Sequence, residues 1–257
     1  SRSKCYGFTH AFEDIEVKEN APGLLEQALR SKRHKCMIGT GAMCDPYLPA
    51  EKELQLTRKC LELIDRYEYG VTVLTKSNLV LRDLDLLQSI HKKTKAVVQM
   101  TLTTYDENLC RKLEPNVSTT RERFEVLMRC KELGIPTLVW MTPILPFIND
   151  TRENIEGLLD YCLQAGVQGI LVFDVGVTLR EGDREYFYQA LDRDFPGIRQ
   201  KYVSTYGNAY DIPSPHAKEL MALIQNTCTA NGMLCSPKEC FTYLHEFPER
   251  YVQQTLF

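Results

Sequence analysis

The sequence predicts an α/β fold of parallel strands with outer helices, and three observations predict it. Short apolar runs alternate with stretches of helical spacing; runs such as 71–74 and 137–141 stay apolar without alternating, as strands buried on both faces do; and no linker splits the series. The 257 residues, 44% hydrophobic and 25% charged, suffice for one buried core, so a single domain over 1–257 is expected. A net charge of -3 argues against a broadly basic nucleic-acid surface, although a local basic groove stays open. No apolar run is long enough for a membrane span and the first residues carry no apolar leader region, so a cytoplasmic location is expected.

In chain order, residues 1–19 are polar and open at Ser1 rather than Met, so the expectation is a start inside a longer polypeptide. Asn20 reads as a helix cap with Pro22 in the first turn of a helix over 23–32. A first strand follows over 36–42. Leu54, Leu61 and Ile64 at helical spacing place a helix over 50–67, closed by Gly70 before a strand over 71–75. Later strands are expected over 96–103, 137–142 and 169–173, with helices over 79–93, 120–133 and 152–165 between them. Further helices are expected over 184–194 and 215–231. The Tyr-, Gly- and Pro-rich stretch 203–215 reads as a loop, and the tyrosine-rich segment 202–210 as a surface loop packing its own aromatics or covering the mouth of the barrel.

Ligands bind at the C-terminal ends of such strands, and polar residues collect there. After the first strand, Gly39 and Gly41 let backbone amides approach a ligand, followed by Ala42, Met43, Cys44 and Asp45; Asp45 either caps the next helix or contacts ligand. Lys76 follows the second strand, Thr101 and Thr103 the third, Thr142 the fourth. Three roles stay open for Lys76: binding a ligand carboxylate or ribose, an internal salt bridge, or an imine. Thr119 and Glu122 form a capping box, and Arg123 either points back to the strand ends or pairs with Glu114. Such hydroxyls and amides suit a polar small molecule such as a nucleoside.

The ten cysteines contain no Cys-x-x-Cys or Cys-x-x-x-Cys pair. Cys36, Cys60, Cys130 and Cys162 lie in apolar or amphipathic stretches and read as reduced core residues. Cys228, Cys235 and Cys240 lie close together, as helix-end packing or as an approach to a metal, with a spacing that fits no zinc pattern. The five histidines are scattered.

The blocks Phe12-Glu-Asp-Ile-Glu-Val-Lys18, Ile38-Gly-Thr-Gly-Ala-Met-Cys-Asp-Pro-Tyr47, Leu74-Thr-Lys-Ser77, Leu113-Glu-Pro-Asn116 and Pro143-Ile-Leu-Pro-Phe-Ile-Asn-Asp150 together resemble the spore photoproduct lyase-like branch of the radical S-adenosylmethionine proteins. The resemblance implies a partial (β/α) TIM-like barrel. It implies a 4Fe-4S cluster on a Cys-x-x-x-Cys-x-x-Cys loop, whose electron, delivered by a donor such as flavodoxin or ferredoxin, cleaves S-adenosylmethionine so that hydrogen is abstracted from a substrate. Residues 42–45 resemble the segment that contacts the methionine part of this cofactor, and Lys76 the lysine at its carboxylate. Thr101 and Thr103 resemble residues near its ribose and carboxylate, and Thr142 one near its adenine.

The cysteine loop itself does not occur in the sequence, so the strand and ligands that carry it are expected upstream of Ser1, and without them no radical chemistry is expected of these residues. Where the DNA-repair enzyme has its hydrogen-donating cysteine stands Ala42, so the resemblance does not carry thymine-dimer repair, and a nucleic-acid substrate is not favoured. A cluster-free barrel, acting as a Lys76 aldolase or as a nucleotide-binding module, is the alternative.

Overall fold

A computed structural model describes residues 15–180 and 182–248. Cys5, His10 and the Phe12–Asp14 part of the first block lie outside the described residues. Helix α1 (Ala21–Ser31) precedes β1 (Met37–Thr40), α2 (Glu51–Leu54), α3 (Leu56–Arg66) and β2 (Gly70–Thr75). A 3-10 segment, Asn78–Asp83, leads into α4 (Leu84–Lys93), then β3 (Ala96–Thr101), α5 (Glu107–Leu113), α6 (Thr120–Glu132), β4 (Thr137–Trp140), α7 (Arg152–Ala165) and β5 (Gly169–Leu171). The chain continues through β6 (Gly176–Thr178), α8 (Asp183–Asp194), α9 (Ile198–Tyr206), β7 (Asp211–Pro213), α10 (Ala217–Ala230) and α11 (Pro237–His245).

Strands β1 to β5 form one parallel sheet in chain order, each paired with the next. A sheet wound in one direction with every crossover helix on the same face is a barrel that has not closed. Val71, Val73, Val98, Met100, Val139 and Ile170 point outward and pack under Leu61, Leu87, Leu127 and Leu158 of the crossover helices. Alternate residues point inward. There Val97, Leu138 and Leu171 are covered by Cys240 and Leu244 of α11. This is the α/β partial barrel with parallel strands and outer helices that the sequence predicts. No helix among the described residues is long and apolar enough to cross a membrane.

Several local expectations are corrected. Asn20 precedes α1 but its side chain makes no cap bond, so Pro22 alone marks that start. The helix expected over 50–67 is broken at Gln55, whose φ of 51° interrupts it; Glu51 turns back so that its carboxylate accepts the backbone N–H groups of Thr57 and Arg58 and caps α3. Gly70 opens β2 rather than closing a helix, because a Cβ there would lie 2.2 Å from Met37 Sδ. The stretch 203–215 is no simple loop: its first residues complete α9, and β7 pairs antiparallel with β6. Tyr202 on α9 is fully buried against Phe147, Phe187 and Tyr188, and its hydroxyl donates to Pro146 O. That aromatic cluster packs on the loop after β4. The capping box of Thr119 and Glu122 forms as expected.

Candidate functional site

The loop after β1 turns on Gly41, whose φ is +98° and where a Cβ would come within 2.0 Å of Leu74 O. The chain thus lies against the β2 backbone at a spot where only glycine fits. Gly39 has no such constraint, since its Cβ would meet Thr72 Cγ2 at an ordinary 3.7 Å. Ala42, Met43 and Cys44 form an exposed crest, with Met43 66% exposed.

Asp45 ends that crest and ties it to β2. Its Oδ1 accepts from the Tyr47 N–H at 2.9 Å and the Thr75 hydroxyl at 2.7 Å, while Oδ2 accepts from the Lys76 N–H at 2.8 Å. It therefore makes an Asx turn and a cross-loop staple rather than capping the next helix. Behind it, the buried Tyr47 hydroxyl donates to Asp83 Oδ2 at 3.1 Å, and burial beside that carboxylate pushes the phenol up from its ordinary pKa. Asp83 is fully buried and is matched by Arg58 at 2.9 Å and Arg82 at 2.7 Å; Arg82 also reaches Glu51. A buried carboxylate is tolerated there because two guanidinium groups face it.

The Lys76 side chain leaves the end of β2 and its Nζ donates to Glu114 Oε1. The other oxygen of Glu114 accepts from Arg123 Nη2 at 2.7 Å. Arg123 is 0% exposed; its Nη1 donates to Thr101 O at 3.0 Å and its Nε to Ser118 O at 2.7 Å. Burial raises the Glu114 pKa, but the Lys76 and Arg123 charges outweigh it and hold the carboxyl below its usual range. Both readings of Arg123 hold together: it points back to a strand end and it pairs with Glu114.

Thr101 ends β3 on the inward side and is buried. Thr103 belongs to another network: its hydroxyl lies 3.5 Å from that of Thr104, and its carbonyl accepts from Asn149 and Asn154 at 2.9 and 3.0 Å. Thr142 is half-buried after β4. Residues 42–45, Lys76 and Thr101 are thus brought together through Asp45, Glu114 and Arg123, while Thr103 is held in the loop network behind.

The sequence reading missed a row of inward-facing residues. Gln99 donates to the Thr72 hydroxyl at 2.5 Å and accepts from Trp140 Nε1 at 2.7 Å. Trp140 also packs against Phe173 and Phe241, with ring centroids 6.0 and 6.2 Å apart, and Phe173 is 57% exposed. The available signal was the placing of Thr72 and Gln99 at alternate positions of otherwise apolar strands.

Cys130, Cys162, Cys228 and Cys240 are buried, and burial pushes the thiols of Cys130 and Cys162 up to about 12. Among the described residues no three His, Cys, Asp or Glu side chains come together to hold a metal ion.

No family model matches the chain. The uncharacterized protein Rv2578c of Mycobacterium tuberculosis (strain ATCC 25618 / H37Rv) is 28% identical over 210 residues, 80% of this chain and 60% of its own length. The uncharacterized protein MJ0683 of Methanocaldococcus jannaschii is 35% identical over 138 residues, 54% of this chain and half of its own. The chain thus spans about 60% of the length of the mycobacterial relatives it matches. A spore photoproduct lyase variant solved with bound AdoMet and dinucleoside spore photoproduct superposes with a TM-score of 0.60 at 13% identity, over 86% of this chain and 67% of that one. At that identity the likeness establishes a shared fold and no residue's role.

Proposed function

We propose that the chain is a single partial barrel of a radical S-adenosylmethionine enzyme that abstracts hydrogen from a substrate, and that the rim at the ends of β1 to β4 binds the cofactor. The observation that carries the reading is Lys76: its side chain is one-third exposed at a strand end, its backbone is stapled by Asp45 to the crest 42–44, and Thr101 is linked to it through Arg123 and Glu114. The rim fits a molecule with an anionic head and a polar sugar.

In this reading Lys76 holds the cofactor's carboxylate. The exposed crest of Ala42, Met43 and Cys44 lies toward the methionine part, Thr101 toward the ribose and Thr142 toward the adenine, while Thr103 stands behind them in the Asn149 and Asn154 network. Trp140 and Phe173 supply an apolar wall on the inner face that excludes water from a bound substrate. When bound, S-adenosylmethionine supplies a sulfonium whose one-electron cleavage drives hydrogen abstraction, the electron coming from a donor such as flavodoxin or ferredoxin. The described residues do not fit a 4Fe-4S cluster, since no three of their His, Cys, Asp or Glu side chains come together to hold a metal, and no step is derived through one. An aldolase built on Lys76 has less support, because its Nζ, which would attack a carbonyl, is already engaged by the Glu114 carboxylate.

The test is amide chemical-shift mapping as S-adenosylmethionine is added. Changes centred on 42–45, 76 and 101 are expected; changes absent from that rim overturn the reading.

A further inference from the structure

We propose that Glu114, held by Arg123, is the positioning residue for Lys76, fixing its ammonium at the rim so that a ligand's carboxylate meets a pre-set cation. The choice of ligand rests on the cofactor reading above; the strut rests on geometry alone.

Arg123 is the most constrained cation of the rim. Its guanidinium is wholly buried and spreads its donors over three acceptors on different segments, Thr101 O at the end of β3, Ser118 O before α6 and Glu114 Oε2. A planar fork held at three points cannot turn toward a ligand, so the carboxylate it binds is that of Glu114. Glu114 immediately follows α5, where its side chain would otherwise be free to choose among rotamers. Pinned on one oxygen by Arg123, it offers the other to Lys76.

Lys76 is thereby fixed at both ends. Asp45 Oδ2 holds its backbone N–H at 2.8 Å and Glu114 its ammonium, yet the side chain remains 33% exposed. An ammonium has three donors, and one carboxylate does not exhaust them. What reaches the rim is a lysine whose long stem has already lost its freedom, which lowers the entropy lost when a ligand binds.

The sign of one substitution separates positioning from charge. The charged group the ammonium meets is Glu114, itself paired with Arg123, while Asp45 holds the lysine's backbone N–H. In Glu114→Gln a negative charge leaves, so Coulomb attraction alone would tighten binding of an anion. Loss of the strut weakens it instead, on the order of tenfold, the effect of having to order a free lysine on binding.

The experiment is calorimetric titration of the full-length protein, wild type, Glu114→Gln and Arg123→Lys, with S-adenosylmethionine and with its decarboxylated analogue. Alongside it, the Lys76 Nζ resonance is recorded in nitrogen-15-labelled protein. Expected are a loss of about tenfold for S-adenosylmethionine in both variants, no loss for the analogue, and broadening of the Lys76 signal. Unchanged or tighter binding of S-adenosylmethionine by Glu114→Gln overturns the proposal, as does an equal loss for both ligands. If the wild type binds no S-adenosylmethionine, the cofactor reading falls and the Lys76 resonance decides the strut: a signal that depends on Glu114 upholds it, one that does not overturns it. Should the variants fail to fold, acid titration of the wild type serves. A Lys76 Nζ signal that moves as Glu114 protonates upholds the strut, and one that stays fixed overturns it.

Discussion

Asp45 and Lys76 are joined across the rim: Oδ2 of Asp45 accepts the Lys76 backbone N–H at 2.8 Å, while Oδ1 takes the hydroxyl of Thr75 just before it. The crest that follows β1 and the end of β2 therefore move as one piece. Replacing Asp45 by Ala leaves the part-buried backbone donors of Tyr47 and Lys76 unpaired and is expected to destabilise the fold by about 1–3 kcal/mol in urea unfolding, with Asn recovering part of the loss. A loss below about 0.5 kcal/mol would show the staple to be idle.

Two glycines two residues apart should behave oppositely. Gly41→Ala puts a methyl group 2.0 Å from Leu74 O at a φ of +98° and is expected to lower stability by at least about 2 kcal/mol. Gly39→Ala places its methyl at 3.7 Å from Thr72 and is expected to change stability by less than about 1 kcal/mol. Thermal unfolding of the pair checks both.

The Glu114 pKa is lowered in the folded protein, so its stabilising contribution is present above the ordinary carboxyl range and is lost as pH falls through the depressed folded value. Unfolding free energies measured from neutral pH down into the acid range should show an acid-labile component that Glu114→Gln lacks. Parallel curves for the two proteins would contradict this.

Lys95 Nζ reaches the carbonyls of Tyr243 and Glu246 at the C-terminal end of α11 and lies 3.9 Å from the Tyr243 ring centroid. Burial lowers its pKa. Lys95→Met is expected to weaken the seating of α11 on the inner face by about 1–2 kcal/mol, read as faster hydrogen exchange over 237–245 with little change in α6 or α7.

The strand and helix alternation was legible because period and apolar runs are local signals, and all five strands β1 to β5 begin within a residue of their expected starts. Gln55 was not legible: helical spacing continues from Leu54 to Leu61 across a residue that the Glu51 cap turns left-handed. Helix α9 was hidden by its tyrosines, which read as loop residues until Tyr202 finds its buried partners. Helices α5 and α11 were missed outright, one for its length of seven residues and the other for its cysteine-bearing sequence. At the rim, Lys76 and residues 42–45 were visible from strand ends. The Glu114 and Arg123 pairing was one of two open choices, because nine positions of separation do not say whether an arginine turns inward.

The most direct measurement is the affinity of S-adenosylmethionine for the wild-type protein and for Lys76→Ala, determined by calorimetry at one ionic strength with the fold of each verified by circular dichroism. The expected result is binding by the wild type and a loss of at least about tenfold in the variant, the effect of removing a charge-assisted contact to a carboxylate. Equal affinity in the two proteins, or no binding by the wild type, would contradict the cofactor rim on which the account rests.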